Sequence, residues 1–410
     1  MAEPISVTLD DVKEARARIR DLVNYTPCNR SPNLSDALGF GCFLKMENLQ
    51  RTGAYKDRGA MNAVLSLTEA QKKAGVIAAS AGNHAQGLAY AAQRNGVHAT
   101  IVMPQTAPTA KLRGTRKYGA EIVLHGNGYD DAFGRATTLQ KEKGYTFVHA
   151  FDDPRVIAGQ GSVGLELLEQ IADLDVVVVP IGGGGLAAGM AVALKALKPS
   201  VRIVGVQAQS VPSMKASIEA GHIVSVSGAT IADGIAVGRP GAHTFPIVQK
   251  YLDEIVTVSE DEIAQAVLVL LESEKTVTEG SGAAGVAALL SGKIGGLAGR
   301  QVCTVLTGGN IDTTFLKNVV ARGMARDGRL AKLLVVVPDR PDSVAKIAAL
   351  AAAENAHILD IHHRRVFNSA DYRETELDLL VETPGPENTA ALLAALANEG
   401  YRAQSIDPEG

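Results

Sequence analysis

Four short segments carry the residues with the most chemical potential. Residues 181–186 read IGGGGL, directly after a wholly apolar run and just before a helix-forming stretch. Consecutive glycines let backbone N–H groups converge on one point, and a following helix adds its positive end. The pattern is an anion cradle suited to phosphate. It carries no Walker lysine and no G-x-G-x-x-G spacing with a later acidic residue, so neither an ATP nor an NAD site is indicated. Residues 47–60 read ENLQRTGAYKDRGA, with Lys56 three residues after Gly53 and beside Tyr55. A lysine amine can form a Schiff base and act as a base when burial lowers its pKa. Residues 80–87 read SAGNHAQG at a strand-to-helix turn, where N–H groups suit a carboxylate and Asn83 can donate a hydrogen bond. Residues 307–310, TGGN, follow another apolar run. One at a time, these segments also read as a flexible turn, a surface lysine, a helix cap and a plain turn.

The elements that must position them alternate along the chain. Strands are predicted over 75–79, 99–103, 121–124, 175–179 and 202–207, with helical patterns over 83–95 and 129–143. Such alternation predicts βαβ units around parallel sheets. A further round follows, with a strand over 254–258, helices over 259–273 and 282–291, and a strand over 301–306. The first twenty residues predict a helix capped by Thr8 or Asp10, with Val12, Ala15, Ile19 and Leu22 on one face. The polar stretch RGMARDGRL over 322–330 predicts a domain boundary. Beyond it the pattern changes to a strand over 332–337, a helix over 342–354, strands over 357–366 and 375–382, a helix over 387–398 and a strand over 402–406. The order βαββαβ is the ferredoxin-like plan. The expected division is 1–325 and 331–410, with a smaller subdomain over about 50–150 inserted in the first part.

Composition narrows the function classes. The 410 residues include 40 basic and 44 acidic side chains, a net charge of −4, which argues against the basic face a nucleic acid needs. The most apolar stretch falls short of the ~20 residues of a membrane helix, so no membrane partner is expected. Cys28, Cys42 and Cys303 share no metal or redox spacing and fit reduced, buried thiols in a cytoplasmic protein.

Taken together and in this order, the four segments resemble the fold-type II pyridoxal-phosphate enzymes, and within them the threonine and serine dehydratases. The resemblance runs from about residue 10 to 322. It implies an α/β fold of the tryptophan-synthase-β-like plan, with two parallel-sheet subdomains, and pyridoxal 5'-phosphate as cofactor. It implies that Lys56 forms the Schiff base and accepts the Cα proton, and that Asn83 hydrogen-bonds the cofactor's phenolic oxygen. Ser80, Ala81, Gly82, Asn83 and His84 then bind the substrate carboxylate. Gly182, Gly183, Gly184, Gly185 and Leu186 hold the phosphate through main-chain N–H groups, and Thr307 faces the pyridine nitrogen. Family members often carry Ser-Phe before the lysine. This chain has Ala54-Tyr55, which keeps the ring, and Thr307 keeps the hydroxyl that others supply from serine. Glu279, in EGSGAAG, matches a family acidic position near the cofactor and reads equally as a residue that opens a helix.

The implied activity is dehydration and deamination of L-threonine, and of L-serine, to 2-oxobutyrate or pyruvate and ammonia. The alternatives are a dehydratase of another 3-hydroxy amino acid, such as 3-hydroxyaspartate, and a serine racemase. Racemases of this family place a serine where Ala81 stands, and metal-dependent ones carry acidic ligands where this chain reads QAQSVPS over 207–213. A dehydratase with no divalent metal site is therefore expected. Residues 331–410 resemble an ACT domain. That implies an amino-acid effector and allosteric control, as in isoleucine biosynthesis. Asp342 stands where such ligand sites usually have glycine, and a dimerisation module without ligand is the other reading. His362, His363, Arg364 and Arg365 read as strand-face residues rather than a metal site. A homodimer or homotetramer acting on a small amino acid completes the expectation.

Overall fold

Thr8 opens the first helix, Leu9–Ile19, by a reciprocal pairing. Its hydroxyl accepts the Asp11 N–H at 3.3 Å, and the Asp11 carboxylate accepts the Thr8 N–H at 2.8 Å. Two N–H groups that the helix leaves without partners are thereby satisfied. Val12, Ala15 and Ile19 are buried as their spacing predicts, whereas Leu22 lies beyond the helix end and still packs on the core. The computed structural model describes residues 7–364 and 373–406. None of the described helices is long and apolar enough to cross a membrane.

The chain divides into two units, Met1–Asp312 and Thr313–Gly410. In the first, the strands are β1 (Cys28–Arg30), β2 (Gly41–Lys45), β3 (Val76–Ala79), β4 (Ala99–Met103), β5 (Glu121–Leu124), β6 (Thr146–Phe147), β7 (Val176–Pro180), β8 (Arg202–Ala208), β9 (Glu254–Val258) and β10 (Gln301–Val305). They form two sheets, ordered β1-β2-β10-β7-β8-β9 and β5-β4-β3-β6. Every pairing is parallel except β1 with β2. A parallel strand is covered by helices on both faces, so β7 can run through four valines to Pro180, and all five of its residues are buried. Each valine that leaves water contributes roughly 1.5–3 kcal/mol. The predicted αβ alternation is thus observed, with two parallel sheets as the resemblance implies.

The helix Lys56–Leu65 lies against the helices Asn83–Arg94 and Pro154–Gln170. A Cβ on Gly87 would stand 3.2 Å from the Lys56 carbonyl carbon, and one on Gly159 would stand 2.7 Å from the Arg58 carbonyl oxygen. Only glycine allows helices to approach this closely. Beneath the helix is a cluster of four buried charges. Both carboxylates take forked bonds from Arg58, Glu47 at 2.8 Å to Nε and Nη2 and Glu166 at 2.6 and 2.8 Å to Nη1 and Nη2. The Lys45 amine reaches Glu166 at 2.6 Å. Two positive and two negative groups therefore balance away from water.

In the second unit, a helix, Thr313–Arg326, precedes β11 (Leu330–Pro338), β12 (His357–Arg364), β13 (Glu374–Glu382) and β14 (Arg402–Ile406). The sheet is antiparallel in the order β12-β13-β11-β14, and the helices Ser343–Ala353 and Pro386–Asn398 pack with it around a core that includes Leu333, Val335, Val337, Leu377 and Leu379. This is the predicted βαββαβ plan. The expected boundary over 322–330 lies beyond the division that the contacts give. The helix continues through Arg322 to Arg326, and the contacts place the division at Asp312 and Thr313. His362, His363 and Arg364 lie on β12, with Arg364 paired to Asp378 at 2.5 Å, while Arg365 lies outside the described residues. Cys42 and Cys303 are buried as expected. Cys28 differs, being half-buried, with its sulfur 3.8 Å from that of Cys303.

Candidate active site

The C-terminal ends of three buried strands deliver three of the four segments. The glycine run follows β7, TGGN follows β10, and SAGN follows β3. Strands β7 and β10 are neighbours, so their loops emerge side by side. In open α/β sheets this edge is where ligands bind. The fourth segment docks directly on the TGGN loop. The Tyr55 N–H donates to the Thr307 carbonyl at 3.1 Å, and the Gly309 N–H donates to the Gly53 carbonyl at 2.8 Å.

Lys56 is the first residue of its helix and half-buried. Its amine donates to the Ala150 carbonyl at 2.7 Å and stands 5.1 Å from the centre of the Tyr55 ring. Burial pushes the amine down to about 8, against the pull of Glu279. Near neutral pH a real fraction is therefore the free base, the form that attacks a carbonyl or removes a proton. Loading of an aldehyde cofactor onto the apoprotein is expected to speed up as pH rises through about 8 and then level off. Glu279→Gln should move that midpoint down, because it removes the charge that favours the ammonium form. Following the visible band of the bound aldehyde after mixing measures both midpoints. An unshifted midpoint would exclude Glu279 as an influence on Lys56.

Asn83 and Glu279 meet in front of this lysine segment. Asn83 Nδ2 donates to Glu279 Oε1 at 2.7 Å, and the Ser281 hydroxyl donates to the same oxygen at 2.6 Å. Burial raises the Glu279 carboxyl above its ordinary range, against those two donors. The reading of Glu279 as a residue that opens a helix holds for its backbone. Its backbone occupies the N-cap of the helix Gly280–Leu290, but its side chain makes no cap and turns into the site. Thr307 is buried. Ser80 accepts the Gly82 N–H at 3.2 Å, which shapes the 80–84 turn. The imidazole of His84 turns away from that turn, with Nε2 2.9 Å from the Val148 carbonyl. Burial pushes it down to about 3, so it stays neutral, and its Nδ1 has no partner. Gln207 is occupied structurally, accepting the Lys215 N–H at 2.9 Å.

The glycine run has no room for side chains. A Cβ on Gly183 would fall 2.3 Å from the Phe151 ring, one on Gly185 3.0 Å from Phe151 Cα, and one on Gly182 3.0 Å from Ile235 Cα. Gly184 has φ +97°, a left-handed conformation that favours glycine. The Gly183 carbonyl accepts the Thr244 hydroxyl at 2.6 Å. The N–H groups of Gly182, Gly183 and Gly184 have no acceptor among the described residues. A row of bare donors at the start of the helix Gly185–Leu197 fits a phosphate group, and with the low-pKa amine of Lys56 the residues fit pyridoxal phosphate.

Sequence reasoning missed three contributors. Ala150 supplies the carbonyl that holds Lys56, and Phe151 backs the glycine run. Asp152 accepts the Ala242 and His243 N–H groups at 2.9 and 2.8 Å. Nothing in the string HAFDD over 149–153 distinguishes it from a surface loop.

Comparison with known proteins agrees with this geometry. Residues 19–308 match the family described as pyridoxal-phosphate dependent enzyme. The L-threonine ammonia-lyase of Thermotoga maritima is 44% identical over 401 residues, covering 98% of this chain and 100% of that protein. The catabolic L-threonine dehydratase of Escherichia coli (strain K12) is 44% identical over 317 residues, 77% of this chain and 96% of that protein. The structure of maize serine racemase superposes with a TM-score of 0.74 at 34% identity, covering 78% of this chain and 99% of that one. The family match spans the strand ends, the lysine and the glycine run described above, and the chain belongs to the pyridoxal-phosphate dependent enzymes, built on the fold-type II plan.

Proposed function

We propose that the chain removes water and then ammonia from L-threonine, and from L-serine, giving 2-oxobutyrate or pyruvate. The observation that carries this reading is the low-pKa Lys56 at the edge of β7 and β10, in a chain 44% identical to a named L-threonine ammonia-lyase over 98% of its length. Lys56 would hold pyridoxal phosphate through its amine. Gly182, Gly183, Gly184, Gly185 and Leu186 would take the phosphate, Asn83 the phenolic oxygen and Thr307 the ring nitrogen. When bound, the cofactor supplies an electron sink for the pair left as the Cα proton departs.

This chain's residues do the remaining work. N–H groups of the 80–84 turn hold the substrate carboxylate and so aim the Cα–H bond. Lys56, as a free amine, would accept the Cα proton. Thr307 offers a neutral hydroxyl where a carboxylate would keep the ring nitrogen protonated. A neutral group there would favour elimination, the net loss of the Cα proton and the β-hydroxyl as water, over transamination. Hydrolysis of the released enamine yields the 2-oxo acid and ammonia.

A racemase reading is favoured by the likeness to the maize enzyme, and a dehydratase of 3-hydroxyaspartate is the other rival. Ala81 argues against the first, since a methyl group has no proton to return to the opposite face of Cα. We expect a panel of β-hydroxy amino acids to give 2-oxo acid and ammonia fastest from L-threonine, with negligible D-serine from L-serine by chiral chromatography. D-serine formed at a rate near that of pyruvate, or 3-hydroxyaspartate as the best substrate, would overturn the assignment.

The second unit reads as an ACT-like regulatory domain on the strength of its βαββαβ topology. The Escherichia coli relative matches 317 residues at 96% of its own length, which supports a catalytic unit that stands without the tail. Truncation near Arg329, which keeps the whole stretch that this relative matches, is expected to leave a folded, active enzyme. Any response to isoleucine or valine should vanish with the tail, since linkage needs a second site. Asp342 is exposed and pairs with Lys346 at 2.9 Å, which keeps its carboxyl below the ordinary range and charged. An effector carboxylate near the start of the helix Ser343–Ala353 meets that charge. Calorimetry should show weak or no isoleucine binding to the full chain and stronger binding to Asp342→Gly. Tight binding to the unmodified chain would refute this reading of Asp342.

A further inference from the structure

Asn83 has a neighbour that its proposed role does not explain. Asn310 Nδ2 donates to the Thr52 carbonyl at 2.7 Å and to Asn83 Oδ1 at 2.8 Å. Asn83 Nδ2 in turn donates to Glu279 Oε1. The Thr52 carbonyl can only accept, so the Asn310 group facing it must be NH2. That NH2 has a second proton, and the Asn83 atom receiving it must be oxygen. The Asn83 NH2 is thereby forced to the opposite side. A turned-over Asn83 would set NH2 against NH2 at one end and oxygen against oxygen at the other.

Bare backbone encloses the relay on both flanks. A Cβ on Gly53 would lie 2.6 Å from Asn310 Oδ1, and one on Gly308 would lie 2.7 Å from Glu279 Oε1 and 3.1 Å from Asn83 Nδ2. The Thr52 end is itself anchored, since its N–H donates to Asp57 Oδ2 at 2.9 Å in the helix that begins with Lys56. One hydrogen-bonded line therefore joins the lysine segment, the TGGN loop, the SAGN turn and Glu279.

We infer that Asn310 is a positioning residue. It locks the Asn83 carboxamide with its donor, not its acceptor, on the side where the cofactor's phenolic oxygen is proposed to sit. This rests on the proposed cofactor role of Asn83. The phenolic oxygen carries negative charge and needs a donor, whereas a carbonyl oxygen in that place would repel it.

The test uses the full chain as apoprotein, titrated with pyridoxal phosphate and followed by its visible band, without substrate. Asn310→Ala should weaken cofactor affinity about tenfold, the size of one hydrogen bond. Asn310→Asp keeps the shape but opposes acceptors to Thr52 and Asn83, and should lose at least as much. In an Asn83→Ala background, Asn310→Ala should add little, since nothing remains to be oriented. Thermal unfolding of the apo variants checks the fold. If Asn310→Ala fails to fold, the isosteric Asn310→Asp decides alone. Wild-type affinity in Asn310→Asp, or a loss in the double variant equal to the sum of the single losses, would overturn the inference. Failure of the threonine assignment would appear instead in the product assay, with cofactor titrations unchanged. Failure of Asn83→Ala to weaken binding would strike the cofactor role on which the inference depends.

Discussion

Lys56→Ala is expected to leave a folded protein without a visible absorption band and with turnover reduced at least ~10³-fold, the scale of losing a positioned base. The fold should survive because, among the described residues, the amine makes a single hydrogen bond, to the Ala150 carbonyl, worth about 1 kcal/mol. Circular dichroism and thermal unfolding would check the fold while ammonia release measures turnover. Lys56→Arg should fail as well, since a guanidinium stays protonated and cannot serve as nucleophile or base. Retention of more than a small fraction of activity in either variant would remove Lys56 from the mechanism.

Arg58→Met carries the largest expected loss of stability. It leaves Glu47 and Glu166 buried with only Lys45 to balance them. Removing one partner from a buried ion cluster costs about 3–5 kcal/mol. The pH dependence gives a sharper test. Burial pushes the Glu47 carboxyl up, and Arg58, helped by Lys45 and the Thr26 hydroxyl, more than reverses this, so its pKa in the native chain lies below the ordinary value. A depressed carboxyl stabilises the fold above its unfolded pKa, and that contribution is lost as pH falls through the folded one. Without Arg58, burial is opposed only by Lys45 and the Thr26 hydroxyl, so the folded pKa rises and the stability lost on the acid side shrinks. The variant should therefore regain stability as the solution turns from neutral to mildly acidic, relative to the native chain. Adding Glu47→Gln should restore part of the loss, because the Lys45–Glu166 pair then balances. Thermal unfolding of the three proteins at both pH values reads the outcome. A loss that is independent of pH and not rescued would show that the cost is packing rather than unpaired charge.

Much of the catalytic unit was legible because its chemistry sits where apolar runs stop at glycines. β3, β7 and β10 each end this way, so strand and turn could be placed together at all three, and the helix start as well after β3 and β7. The βαββαβ tail was equally readable, since Leu333, Val335 and Val337 alternate with less buried residues on β11. Partners distant in sequence were not legible. Nothing in the sequence marks Lys45, Glu47, Arg58 and Glu166 as a buried cluster, which is assembled by contacts as far apart as 121 residues. Asn310 looked like one letter of a turn, because its value lies in two acceptors contributed by Thr52 and Asn83. The boundary expected over 322–330 and the division by contacts differ for a local reason. RGMARDGRL is polar, yet Leu316, Val319 and Val320 repeat at helical spacing upstream, and the helix they begin carries Arg322 to Arg326 with it.

The most direct test of the whole account is to trap the cofactor on its lysine. Borohydride reduction of the purified enzyme, followed by proteolysis and mass mapping, should place the phosphopyridoxyl group on the peptide containing Lys56 and on no other. Label on a different lysine, such as Lys45 or Lys111, or a protein that acquires no label after incubation with pyridoxal phosphate, would contradict it.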